Sequence, residues 1–444
     1  MKTWIKNPRA IFADNAENGL VIENDKITEL VPKGKTPTSS VDQVIDASDL
    51  VVIPGLISTH HHYYQTLTRS YRDSLDKELF DWLTTLYEVW GRLTPETLYT
   101  SSKTAMAELL LSGCTTSADH HYVFPKGLEN ATDIQVEVAR EMGLRSIITR
   151  GSMNLSKKDG GLPPDCVVQN EDVILADCER VIKKYHETKE GAMVQIALAP
   201  CSPFSVTKSI MQKTSVLAKK YNVMMHTHLS ETEDENNFCL KMFGCRPIDY
   251  LDQVGWLNDK TWLAHAIHYT DEELARLGKA GVGMSHCPSS NMILSSGVFK
   301  SIAAEKAGCK VSIAVDGSAS NDHSNMIMEL RQAFLLQRLH NSSKISHKNI
   351  LRWGTLGGAQ VLGRNDVGEL KAGKQADIAM YKLDDIQFWG ADEPLAALII
   401  CGAVRADKVI VAGKIKVDNG HLVNVDMQKL RAEHRKAQLD LIKR

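Results

Sequence analysis

The sequence predicts an α/β protein, a (β/α)8 TIM-like barrel with a β-sandwich domain built from both chain ends. Three observations predict it. Between residues 51 and 316, eight apolar strand-type segments alternate with segments of helical period, the pattern of a parallel sheet with helices outside it. On either side of that region the texture is short strands and turns. Histidines, an arginine and an aspartate recur at the carboxyl ends of the strand-type segments, the rim on which barrels of this kind build active sites.

Residues 1–53 read as β, with a hairpin over 19–30 closed at Asn24-Asp25 and nothing of chemical character. The apolar run 51–58 then leads into His60-His61-His62. In an extended strand His60 and His62 share a face and His61 takes the other. Two imidazoles on one side of a strand end can grip a borderline transition metal such as zinc. A histidine-rich turn is the bland alternative, whereas a tag would sit at a terminus.

Helical period over 97–111 gives way at Gly113 to a strand ending at His120-His121. A helix over 133–142 precedes a strand over 145–149 that ends at Arg150, and a helix over 172–187 precedes a strand over 194–200. A helix over 209–221 leads to the strand 223–228, and further strands fall at 261–265, 281–286 and 311–316. His60, His62, His120, Arg150, His228, His265, His286 and Asp316 are thereby expected on one rim. After about residue 363 the β texture returns, with a hairpin over 408–417 and a final charged helix over 427–444 whose charges are read as a solvated face. Neither end has enough strands to bury a core alone, so residues 1–53 and 364–444 are expected to form one composite sandwich beside a catalytic barrel over 54–363.

A formal net charge of −2 gives no reason to expect nucleic acid or an anionic membrane as partner. No apolar run is long enough to cross a bilayer, and the amino terminus lacks the apolar core of a signal peptide. Nine scattered cysteines without a C-x-x-C pair point to free thiols in a reducing compartment, with the cytoplasm as the expected location. The expected partner is a small molecule, and a homo-oligomer is left open.

Four distant segments bear on one site. His228 has Glu231 three residues on, His265 ends the next strand, and Asp316 precedes Gly317. Three imidazoles and a carboxylate, with a position left for water, make a hydrolytic metal site rather than a closed structural one. A metal there lowers the pKa of bound water towards neutrality.

These segments resemble the amidohydrolase superfamily. The resemblance is carried by Pro54-Gly55 before His60-His61-His62, by His228-x-x-Glu231, Ala264-His265, His286-Cys287-Pro288-Ser289-Ser290-Asn291 and Asp316-Gly317, and by Gly368-Glu369-Leu370 with Gly373-Lys374 and Ala376-Asp377. It covers nearly the whole chain and is similar to the deaminase and chlorohydrolase branch. It implies one zinc ion (Zn2+) per chain, held by His60, His62, His228 and Asp316. The two-metal branch carries a carboxylated lysine at the end of the fourth strand, and here Ala197-Leu198-Ala199-Pro200-Cys201 has none. The roles it implies are proton acceptance from water by Asp316, proton delivery to a ring nitrogen by Glu231, and stabilisation of the tetrahedral intermediate by His265.

The chain's start, with residues 60–66 and Asp119-His120-His121-Tyr122, resembles purine-base deaminases of that branch and implies 8-oxoguanine as substrate, giving urate and ammonia. Gln65, Trp82, Trp90 and Arg150 are the expected substrate contacts. Gln65 can donate and accept along an amide edge. Trp90 stands near the position where related nucleoside deaminases carry a ribose-holding glutamate, which favours a free base. Arg150 is expected to meet a carbonyl oxygen. Packing is the alternative for both tryptophans. Related readings are isoxanthopterin or guanine deaminase and a triazine chloro- or aminohydrolase. A non-catalytic metal-binding barrel would not need Glu231 and His265. His61 is expected to point away, His226 to pack inside the barrel, and one of His120 and His121 to line the pocket. Packing is preferred for His268, His323, Cys201 and Cys287, with pocket lining as the alternative.

Overall fold

The structure, a computed structural model, describes residues 1–443. Eight parallel strands form the barrel: β1 (Leu56–Ser58), β2 (Cys114–Asp119), β3 (Arg145–Ser152), β4 (Val194–Pro200), β5 (Met225–Leu229), β6 (Thr261–His265), β7 (Gly283–His286) and β8 (Lys310–Ile313). Each pairs with the next in chain order. Alternation along the strands turns Ile57, Ala118, Ile147, Ala197 and Trp262 into one interior apolar cluster.

The ladder is open between β8 and β1, and the chain closes it at the rim. Asp316–Gly317 pairs in parallel with His61–His62, and the Asp316 N–H donates to the His60 carbonyl at 3.2 Å. Below them, the Thr59 hydroxyl hydrogen-bonds both Ser285 and Ser312 at 2.7 Å. The barrel is therefore stitched shut by the residues that carry the histidines and the aspartate.

The apolar run before the histidines is divided rather than one strand. Leu50–Pro54 lies in a terminal sheet, Leu56–Ser58 is β1, and His61–His62 forms the seam. Gly55 makes the crossing. A Cβ there would stand 2.1 Å from the Thr115 hydroxyl, so only glycine lets the chain pass β2 this closely.

Two further sheets come from the chain ends. Lys26–Leu30, Gly19–Glu23, Lys2–Lys6 and Gln43–Asp46 form one, with the first two joined as the expected hairpin. The other runs Ala10–Ile11, Leu50–Pro54, Ile378–Lys382, Lys408–Val411, Lys414–Asp418 and His421–Leu422, so two strands from the amino end join four from the carboxyl end at the pairing of Leu50–Pro54 with Ile378–Lys382. Ile5, Leu20, Ile22 and Ile27 of the first sheet and Val52, Ile378, Met380 and Ile410 of the second share one buried cluster, which makes the pair a sandwich.

A buried ion pair ties sandwich to barrel. Arg145, at the start of β3, gives Nε and Nη2 to the two Asp377 oxygens at 2.9 Å each, and Nη1 to the Gly191 and Ala192 carbonyls. Removing one partner of such a pair strands a buried charge and costs about 3–5 kcal/mol. Arg145→Ala is expected to lower Tm by several degrees in differential scanning calorimetry at a fixed scan rate. An unchanged Tm would show that the pair adds nothing.

Among the described residues no helix is long and apolar enough to cross a membrane. All nine cysteines are free thiols.

Candidate active site

At the carboxyl rim, the ring Nε2 atoms of His60, His62 and His228 converge on Asp316. His60 Nε2 and His62 Nε2 lie 3.1 and 3.3 Å from Asp316 Oδ1, and His62 Nε2 lies 3.2 Å from His228 Nε2. The other ring nitrogens fix the tautomers. His62 Nδ1 donates to the His120 carbonyl at 2.6 Å and His228 Nδ1 to the Cys201 carbonyl at 2.7 Å. His226 Nδ1 donates to the Trp262 carbonyl at 2.9 Å, so its Nε2 is the acceptor for His60 Nδ1 at 2.7 Å. Burial pushes His60 and His226 well below the usual imidazole range and His228 down to about 3, so these rings stay neutral. Three unprotonated Nε2 atoms therefore face one another and a carboxylate. Lone pairs that close repel unless a cation lies between them, and buried His60 Nε2 has no hydrogen-bond partner among the described residues. The donor set, three imidazoles and one carboxylate with outer-partner hydrogen bonds on the rings, fits an open metal site of the catalytic type. A second grouping, His60, His120 and His226, is also compact. Its closest pair is already joined by the His60–His226 hydrogen bond.

Beside the cluster stand Glu231 and His265. Glu231 Oε2 is 3.4 Å from His265 Nε2, which is 3.8 Å from Asp316 Oδ2. His265 Nδ1 donates to Asn291 Oδ1 at 2.9 Å, aiming Nε2 at the two carboxylates. Burial disfavours the imidazolium of His265, but Glu231 and Asp316 outweigh it and raise its pKa. Burial raises the Glu231 carboxyl above its ordinary range, against the pull of His265. The backbone is bent to hold this arrangement: Ser230, His265, Ala266 and Asp316 all have left-handed φ, between 52° and 67°. Fully buried Glu235 clamps the bend by accepting from the Ser230 and Glu231 N–H groups at 2.9 and 3.1 Å. The Ser230 carbonyl in turn accepts from Ile267 and His268.

The amidohydrolase family model matches residues 51–416, which span the barrel and the return to the sandwich. The chain belongs to the amidohydrolase family. An 8-oxoguanine deaminase of Pseudomonas aeruginosa is 54% identical over 99% of each chain. An isoxanthopterin deaminase from an unknown prokaryotic organism is 32% identical, covering 94% of this chain and 90% of its own. The crystal structure of an atrazine chlorohydrolase from Arthrobacter aurescens TC1 complexed with zinc superposes with a TM-score of 0.92 at 29% identity, over 98% of this chain and 100% of that one. This amidohydrolase is a hydrolase acting on C–N bonds.

His62, His228, Glu231, His265 and Asp316 of the amidohydrolase site line one cavity. Gln65 and Trp82 line it, as do Tyr87, Tyr122, Cys201, Phe204, Leu294 and Ser320. Gln65 Oε1 accepts from the Ala319 N–H at 3.2 Å and fills the space where a side chain on Gly317 would be. Two expected contacts fall elsewhere. Arg150 lies inside β3 with the parity opposite to interior Ile147, so it points out among the helices. There it pairs with Asp177 at 2.6 Å and Gln169 at 2.8 Å, its guanidinium over the Phe124 ring. Trp90 is buried behind the cavity wall, donating to the Thr68 hydroxyl at 3.2 Å. Parity also turns His286 away, since Ser285 is the interior residue of β7; His286 Nε2 meets Gln337 and its ring stacks on Phe299.

His61 points away to Ser324 at 2.9 Å and His226 lies inside the barrel, stacked on Trp262. His120 stacks on His228 and bonds the Ala199 carbonyl, while His121 packs against Tyr64 and Phe124. Neither lines the cavity. His268 bonds the Ser296 carbonyl at 2.7 Å, and the Ser296 hydroxyl donates to Glu231 Oε1 at 3.3 Å. His323 is partly buried beside Asn325, and Cys287 is buried. Sequence reasoning gave no role to Asn291, Glu235 or Tyr87. Asn291 had a signal, as the last residue of the motif that begins at His286. Glu235 and Tyr87 have none outside their place in the fold.

Proposed function

We propose that this amidohydrolase holds one zinc ion through His60, His62, His228 and Asp316 and hydrolyses 8-oxoguanine to urate and ammonia. The observation that carries the substrate is the 54% identity to an 8-oxoguanine deaminase from end to end. The site supplies what the reaction needs. When bound, a divalent ion makes hydroxide available at neutral pH and polarises the reacting centre. Asp316 accepts the proton of the attacking water. Glu231, its pKa raised by burial, carries a proton to the ring nitrogen beside the attacked carbon and makes that carbon more electrophilic. His265, held by Asn291 and with its pKa raised by two neighbouring carboxylates, stabilises the oxygen of the tetrahedral intermediate. Protonation of the amino group then lets ammonia leave. Ser296 and Glu235 hold Glu231 in place through side chain and backbone.

The free base is favoured by the cavity rather than by Trp90. The helix Leu79–Trp90 offers Leu79, Trp82, Leu83 and Tyr87 to it, with no carboxylate to hold ribose hydroxyls, and the lining carboxylates are Glu231 and Asp316. A flat purine meets Trp82 and Phe204 on that apolar side and Gln65 at its amide edge. The reading includes a cytoplasmic enzyme whose partner is the small heterocycle alone, and a composite unit of residues 1–53 and 364–444 that carries the barrel.

The 32% identity to an isoxanthopterin deaminase favours a second reading with the same chemistry. Measuring kcat/KM by ammonia release for 8-oxoguanine, guanine, isoxanthopterin, cytosine and hydroxyatrazine separates them. The expected order places 8-oxoguanine first by at least tenfold. A lead for isoxanthopterin changes the substrate and keeps the mechanism; a lead for the triazine or cytosine overturns the purine reading.

A further inference from the structure

One part of the cavity lining comes from one face of the helix Leu79–Trp90. Leu79, Trp82, Leu83 and Tyr87 recur at the spacing that puts residues on one side of a helix, and all four line the cavity. Three of them are largely apolar surface. Tyr87 differs: it is fully buried, and its hydroxyl has no hydrogen-bond partner among the described residues. A buried phenol normally finds one, because its desolvation is otherwise uncompensated. Its ring packs edge-on against Trp90, with ring centroids 6.0 Å apart. Tyr87 therefore brings a packed ring and an unsatisfied hydroxyl to the lining of the cavity.

We propose that Tyr87 is a specificity-determining residue whose hydroxyl reads the oxygen on C8 of the purine. The inference rests on the 8-oxoguanine reading above. The proposed pose sets C2 at the histidine cluster and Glu231 at the neighbouring ring nitrogen, with the five-membered ring against Tyr87. The C8 oxygen is an acceptor suited to a phenol O–H. Guanine presents C–H at that place and would leave the hydroxyl unpaired, so the cost of the orphan group is removed by the correct base alone. Tyr122, the other phenol of the cavity, packs on His62 at 5.2 Å between ring centroids and so belongs to the reacting end.

The test is Tyr87→Phe in the metal-loaded enzyme, read by inhibition with the two products, urate and xanthine, which differ by the C8 oxygen. The inhibition constant of urate is expected to rise at least tenfold and that of xanthine to change less than twofold, with kcat/KM for 8-oxoguanine falling at least tenfold, mainly through KM. Because the hydroxyl has no partner in the protein, Tm is expected to stay the same or rise. Equal shifts for urate and xanthine, no shift for either, or a fall in Tm with equal loss of both ligands would overturn the assignment. Wild-type enzyme that neither turns over 8-oxoguanine nor binds urate would instead overturn the substrate reading itself, and the Tyr87 assignment with it.

Discussion

Glu231→Gln is expected to keep its full metal content and lose about 10³-fold in kcat, within the 10²–10⁴ that a positioned acid–base group contributes. The geometry separates the two functions. The converging nitrogens are those of His60, His62 and His228, whereas Glu231 stands on the far side of His265, with Oε2 3.4 Å from its Nε2. A glutamine keeps the size of the side chain and can still receive the Ser296 hydroxyl, so the backbone clamp by Glu235 is untouched. What is lost is a proton that moves only as the reaction proceeds. An interaction confined to the transition state lowers kcat and kcat/KM together and leaves KM near its starting value. Elemental analysis and steady-state kinetics on the same preparation decide the matter. A variant within tenfold of wild-type kcat would remove Glu231 from the proton path; a variant without metal would make it a ligand.

Much of this was legible in the sequence because strand ends in a parallel barrel share one rim. His60, His62, His228, His265 and Asp316 could be assigned to one site from the ends of four segments. Strand parity also placed His61 outside and His226 inside, and both predictions hold. The same parity explains the failures. Arg150 and His286 were read as terminal residues of their strands, but β3 runs on to Ser152 and the interior positions are Ile147 and Ser285, so both side chains leave the barrel. Nearness to a strand's carboxyl end is not enough; parity decides which face the side chain takes. Trp90 failed for a different reason. A helix has one face towards the cavity, and Trp82 and Tyr87 hold it; Trp90 contributes by packing behind them. The break of the first strand was also invisible, since an apolar run does not record which sheet each part joins. Its first half pairs with Ile378–Lys382, more than 320 residues away in sequence. The tautomer chain from the Trp262 carbonyl through His226 to His60 needed three-dimensional neighbours altogether.

The second large effect is that of the metal. His228→Ala is expected to bind less than a tenth of an equivalent of zinc after gel filtration and to have no measurable turnover, whereas wild-type enzyme is expected to carry one equivalent. The reason is electrostatic as much as coordinative. In the wild-type site the unprotonated Nε2 atoms of His62 and His228 face each other at 3.2 Å, an arrangement sustained by a cation. Removing one imidazole leaves two nitrogens and Asp316, and opens the cluster to water from the cavity that His228 lines. His61→Ala is the control, because His61 belongs to the same three-residue run but its Nε2 bonds Ser324, so the metal content is expected to stay at one equivalent. Chelation reports on the same site without any mutation. An ion that binds the folded chain alone stabilises it by RT ln(1 + [L]/Kd), about 4.1 kcal/mol when free metal is a thousand times Kd, so stripping it lowers Tm as well as activity, and adding zinc back restores both. Two equivalents per active wild-type chain would contradict a mononuclear site, and His228→Ala with its metal intact would take that imidazole out of the ligand set.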